Sequence, residues 1–63
     1  MDKGEKRLNR LIREAEKIQH CSDGYIESQL WANRDYDTSL TDIKNAVAEM
    51  RGIEAERREK QLH

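Results

Sequence analysis

The chain has no proline and no phenylalanine, a single cysteine, and only three glycines, at positions 4, 24 and 52. Without proline, nothing obliges a helix to stop, so the scarcity of breakers favours long helices. One thiol, Cys21, rules out an internal disulfide, and a lone free cysteine fits an intracellular, cytoplasmic location. Metal ligands are scarce as well, since His20 and Cys21 are sequence neighbours and His63 is terminal. No apolar run approaches the length of a membrane span, and the first residues do not read as a signal peptide. No cofactor or metal is expected.

What remains is short and highly charged. Sixty-three residues make one domain, and a chain of this size buries only about 60% of the surface its unfolded form exposes. Small domains compensate with disulfides, a metal or self-association, and here only the last is open. Charged residues make up 40% of the chain, but they are patterned. Residues 1–20 carry six basic and four acidic side chains, residues 21–50 two and six, and residues 51–63 four and three. A basic first segment and an acidic middle attract one another, within a hairpin or between subunits. A net acidic middle is a poor surface for duplex DNA.

The first segment is amphipathic. Asp2 is a candidate N-cap with Glu5 in the capping-box position, and a helix is expected from about Lys3 to His20. Leu8, Leu11, Ile12, Ala15 and Ile18 share one face, while Lys6, Arg10, Arg13 and Lys17 share the opposite one. Cys21-Ser22-Asp23-Gly24 then reads as a turn, with Ser22 or Asp23 capping the next helix. Beyond it, Tyr36, Leu40, Ile43, Val47 and Met50 are spaced 4, 3, 4 and 3, the seam of a coiled coil or bundle. Ile26 and Leu30 drift off that seam, and Trp31 falls nearly opposite it. A second helix continuous from about Gly24 into the late fifties is the preferred reading. A break at Asp35-Tyr36-Asp37-Thr38-Ser39, with Asp37, Thr38 or Ser39 capping a third helix, is the alternative. Gly52 weakens a helix interior by about 1 kcal/mol, so the charged tail after it is expected to fray. The fold expected is all-α: an antiparallel helical hairpin, or failing that a three-helix mini-bundle, assembled into a homo-oligomer along the Tyr36–Met50 seam.

Catalysis needs convergent groups in a concave site, which two or three short helices hardly provide. His20 beside Cys21 reads as a helix-end histidine next to a small thiol. Asp35, Asp37 and Asp42 lack calcium-loop spacing and read as helix caps. The basic stripe of the first helix reads first as a solvated face, and second as a patch for phosphates or an acidic partner. Trp31, with Tyr25 and Arg34 nearby in sequence, is the candidate hot spot for an oligomer core or a ligand. A non-enzymatic binding protein is therefore expected.

Arg34-Asp35 followed by Leu40-Thr41-Asp42-Ile43-Lys44-Asn45-Ala46 resembles a signature in the helical-hairpin domain of phage cyclic-nucleotide sponges. Those proteins sequester the signals of anti-phage systems such as CBASS and Thoeris. The family pattern is an arginine–acid pair, a threonine seven residues after the arginine, a leucine two later and an alanine three beyond. Arg34, Thr41, Ile43 and Ala46 match that spacing. The family's tryptophan after the alanine has no counterpart at Glu49 or Met50, and a rival alignment lays Leu30-Trp31-Ala32-Asn33 on that segment. The resemblance implies a phage-encoded anti-defence sponge in the host cytoplasm, binding a cyclic nucleotide between subunits through Arg34 and Thr41. The residues themselves leave other partners open: a host protein to be inhibited, a partner helix docked by a structural coiled-coil adaptor, or, last, nucleic acid met by the first helix.

Overall fold

A computed structural model describes residues 3–61, so the expected Asp2 cap and His63 lie outside the described residues. Three helices form: α1 (Lys3–Lys17), α2 (Asp23–Ala32) and α3 (Leu40–Gln61). The continuous second helix is therefore corrected to two helices, and the architecture is the three-helix mini-bundle.

The break has local causes on both sides. At the end of α2, the Asn33 backbone N–H and its Nδ2 both donate to the Gln29 carbonyl, at 3.2 and 2.9 Å. Arg34 Nη1 donates to the Trp31 carbonyl at 2.6 Å. The Asn33 N–H thus makes the last regular helical bond of α2, while the Arg34 side chain takes a carbonyl that a continuing helix would have used, and a cation there suits the negative end of the helix. At the start of α3, Ser39 and Asp42 form a capping box. The Asp42 N–H donates to Ser39 Oγ at 3.2 Å, and the Ser39 N–H donates to Asp42 Oδ2 at 3.0 Å. The Ser39 N–H, foremost, holds the Asp42 carboxyl below the usual carboxylate range, with Arg7 adding to it.

Two other boundaries have similar chemistry behind them. α1 ends three residues earlier than expected, tightening through Ile18 N–H to Ala15 O at 3.1 Å and Gln19 N–H to Glu16 O at 3.4 Å. Ser22 caps α2 in extended geometry, its Oγ accepting from the Tyr25 N–H at 3.3 Å. α3 runs on through Gly52 to Gln61, where no fully buried side chain anchors residues 51–60.

Long-range pairs set the arrangement. Arg7 reaches Asp42 at 3.5 Å, near the starts of α1 and α3, while Glu16 meets Arg57 at 3.5 Å, near their ends. α1 and α3 therefore run parallel and pack directly on one another, and α2 returns antiparallel against them. The core is Leu11 and Ala15 from α1, Ile26 and Leu30 from α2, and Ile43, Ala46, Val47 and Met50 from α3. Leu8, Ile12, Ile18 and Cys21 close its margins. The off-seam positions of Ile26 and Leu30 now have a reason: α2 is a separate helix and turns them inward.

The basic and acidic segments meet inside the chain. Arg7 pairs with Asp37 at 2.8 Å and Arg10 with Asp35 at 2.5 Å, tying the 33–39 connection to α1. Exposed pairs of this kind contribute at most about 1 kcal/mol each, so they orient the connection more than they stabilise it.

Thr38 is the exception in that connection. It is 5% exposed, and its Oγ1 is the one buried side-chain polar atom without a hydrogen-bond partner among the described residues. With Ser39 as N-cap, Thr38 and Ile43 occupy the two positions of a hydrophobic staple, where an apolar residue is preferred. Thr38→Val is expected to stabilise the fold by about 1 kcal/mol, because it removes an unsatisfied hydroxyl at nearly constant volume. In a thermal melt this is a midpoint higher by about 4 to 8 °C. A lower midpoint would show that the hydroxyl is hydrogen-bonded in solution.

Candidate functional site

The break after α2 reorganises the residues singled out on either side of it. Ile43, Val47 and Met50 are 0%, 4% and 1% exposed and belong to the chain's own core. Tyr36, in the connection, is fully exposed, and Leu40, at the start of α3, is 46% exposed. Only these two members of the Tyr36–Met50 stripe are free to face another molecule. Arg34 and Thr41 do not share a helix face, because residues 33–39 are not helical. A continuous helix would have set them on one face two turns apart, and the break removes that arrangement.

Arg34 and Trp31 are brought together. The guanidinium carbon stands 3.6 Å from the centroid of the Trp31 ring, a cation–π stack. Thr41 is exposed in the first turn of α3, and Tyr25 is exposed near the start of α2, at the far end from Trp31.

An apolar concavity lies between α2 and α3. Gly24, Glu27, Ser28 and Trp31 supply one wall and Leu40 and Lys44 the other, around a groove of about 480 Å³. The α2 positions follow the spacing i, i+3, i+4, i+7, a single helix face, and Leu40 and Lys44 are one turn apart on α3. Trp31 is 40% exposed. Two large apolar side chains thus border open solvent in a protein with few such residues to spend, while Ile26 and Leu30 take the buried side of the same helix. Glu27 and Lys44 have no ion-pair partner among the described residues, so each wall carries one uncompensated charge. Neither was singled out from the sequence. The α2 spacing would have shown Glu27 only once α2 was seen to end at Ala32.

A second concavity, about 330 Å³, lies over Lys3, Lys6, Arg7, Arg10, Asp35 and Asp37. Its arginines are engaged with its aspartates, so it is an ion-pair cleft and not an open anion site. Of the basic stripe, Lys6, Arg13 and Lys17 stay exposed on the outer side of α1. His20 is exposed, and Cys21 is half-buried against the core, its carbonyl accepting from Arg51 Nη2 at 2.8 Å. Among the described residues, no group of three or more His, Cys, Asp or Glu side chains is placed to hold a metal ion. No helix among them is long and apolar enough to cross a membrane.

Arg51 was also missed by sequence reasoning. Its Nε donates to Asp23 at 2.8 Å, Nη1 to the Gln19 carbonyl at 2.7 Å and to Glu54 at 2.9 Å, and Nη2 to the Cys21 carbonyl. Asp23, then Glu54, raise its already high pKa further. This clasp holds the α1–α2 turn against α3 and touches no open site. Comparisons of the sequence with family models and with curated proteins, and of the fold with solved structures, find no match.

Proposed function

We propose that this chain is a non-enzymatic binding protein that works through the groove between α2 and α3, and that its ligand is an apolar helical segment of a protein. The observation that carries the reading is the pair Trp31 and Leu40, large, apolar and part-exposed on facing walls. Tryptophan is enriched among residues that dominate interface energies. A small domain gains little by leaving one in water when its core is short of apolar mass. An inhibitor of a host protein and an adaptor for a partner's helix both use such a groove.

A second reading is nucleotide sequestration, as the sponge resemblance implies. Arg34 favours it: a guanidinium stacked on an indole offers a cation for phosphate beside a ring face for a base. Against it, Arg34 already bonds the Trp31 carbonyl, and Thr41 does not share a helix face with it.

Two titrations separate the readings. At submicromolar chain concentration, amphipathic helical peptides with a leucine face should shift Trp31 emission to the blue, and Leu40→Glu should abolish the shift. Calorimetry against cyclic di- and trinucleotides and ADP-ribose derivatives should give no heat. Micromolar binding of a nucleotide, lost in Arg34→Ala with the fold intact, would replace the protein-docking reading with the sponge.

A further inference from the structure

We infer that the groove between α2 and α3 is covered by a second copy of this chain, related by a two-fold axis running along the groove. This rests on the protein-docking reading above and names its partner. The argument comes from how the walls are paired. The chain turns back between α2 and α3, so Trp31 at the end of α2 stands across from Leu40 at the start of α3. One turn further along, Glu27 stands on the α2 wall and Lys44 on the α3 wall.

A two-fold axis along such a groove exchanges the walls. It sets Trp31 of one copy on Leu40 of the other, and Glu27 of one on Lys44 of the other, each contact made twice. At these two contacts apolar meets apolar and acid meets base. A two-fold interface must be complementary to itself, and most foreign surfaces have no reason to match this pattern. The uncompensated state of Glu27 and Lys44 within the chain fits this arrangement, since each finds its counter-charge only in the partner. Ser28 and Gly24 are small, which lets α2 of one copy come close to α3 of the other. The result is a four-helix layer of two α2 and two α3 helices, a common solution for burying a shared apolar face. It also relocates self-association, because Ile43, Val47 and Met50 face inward and only Leu40 of the original seam takes part.

The test is charge exchange. The full chain at tens of micromolar should have the mass of two chains by sedimentation. Its Trp31 emission should be blue-shifted and move to the red as dilution dissociates it. Glu27→Lys alone and Lys44→Glu alone should each weaken the dimer about tenfold or more, because like charges then face each other twice. Each variant should remain helical, since neither position is fully buried. Mixing the two variants should restore the association as a heterodimer, because one chain then presents two lysines and the other two glutamates at these positions. A foreign partner or a nucleotide predicts no such rescue. A single-chain mass at these concentrations with emission unchanged on dilution overturns the second copy as occupant. So does a dimer indifferent to both charge changes and to Leu40→Glu. The docking reading itself stands or falls separately, on whether helical peptides shift Trp31 emission in a Leu40-dependent way.

Discussion

Val47→Asp should leave the chain unfolded at room temperature, with far-ultraviolet circular dichroism close to that of a disordered chain. Val47 is 4% exposed and lies in α3 among Ile43, Ala46 and Met50, opposite the apolar faces of α1 and α2. A carboxylate there has no cation to meet and loses its water, at a cost of several kcal/mol even after the site relaxes. A single core of this size rarely supplies more than about 3–5 kcal/mol, so the substitution exceeds what the fold can absorb. Val47→Ala removes two methyl groups and should cost only about 2 kcal/mol, leaving a folded but weakened protein. Ala48→Asp, one position along and exposed, supplies the control: the same charge on the solvent side should leave the helix content nearly unchanged. Full helicity in Val47→Asp would mean that α3 does not pack with this face inward.

Replacing Arg51 should produce the next largest loss, about 2 kcal/mol for Arg51→Ala by chemical denaturation. Hydrogen bonds from a charged donor contribute about 1.5–3 kcal/mol each when well buried, and here the side chain is part-exposed, so the sum is far below four such bonds. The Gln19 and Cys21 carbonyls lie where α1 has ended and α2 has not begun, and they lose their donor together. Arg51→Lys should recover little, because a single ammonium cannot span Asp23, two carbonyls and Glu54 at once. Amide exchange should accelerate most over residues 18–25, ahead of the α1 core around Leu11. A loss below about 0.5 kcal/mol, the range of an ordinary surface substitution, would show that the clasp is not held in solution.

The residues differ in how openly they announced these roles. The α1 stripe was legible because five apolar residues at helical spacing, backed by four cations, have one amphipathic solution. A cap at Ser22 or Asp23 was legible beside the Asp-Gly turn, and the structure gives that place to Ser22. The break after Ala32 was not, because spacings of 4, 3, 4 and 3 continue arithmetically through Tyr36 whether or not that residue is helical. The deciding signal was present in Ser39 and Asp42, three apart, the register of a capping box. It was outweighed by the regularity of the stripe. Once the break is known, Ile26 and Leu30 cease to be anomalies, and Trp31 and Glu27 fall on one outward face. Arg51 was beyond local reading altogether. Apart from Glu54, what it holds lies 28 to 32 residues away, and a helical arginine carries no mark of a distant carbonyl.

The parallel course of α1 and α3 has a mechanical consequence. The described chain starts and finishes at opposite ends of a body 42 Å long and only 16 Å thick. Tension applied between Lys3 and Gln61 therefore drags α1 past α3 along their length. The interlocked side chains of Leu11, Ala15, Ile43, Ala46 and Val47 must then slip together and not one row after another. Loads borne in shear resist rupture better than loads that peel, so a tether anchored at both ends would strain the bundle in its stiffest direction. Pulling from the 33–39 connection instead would lift α2 away by its edge and open the groove.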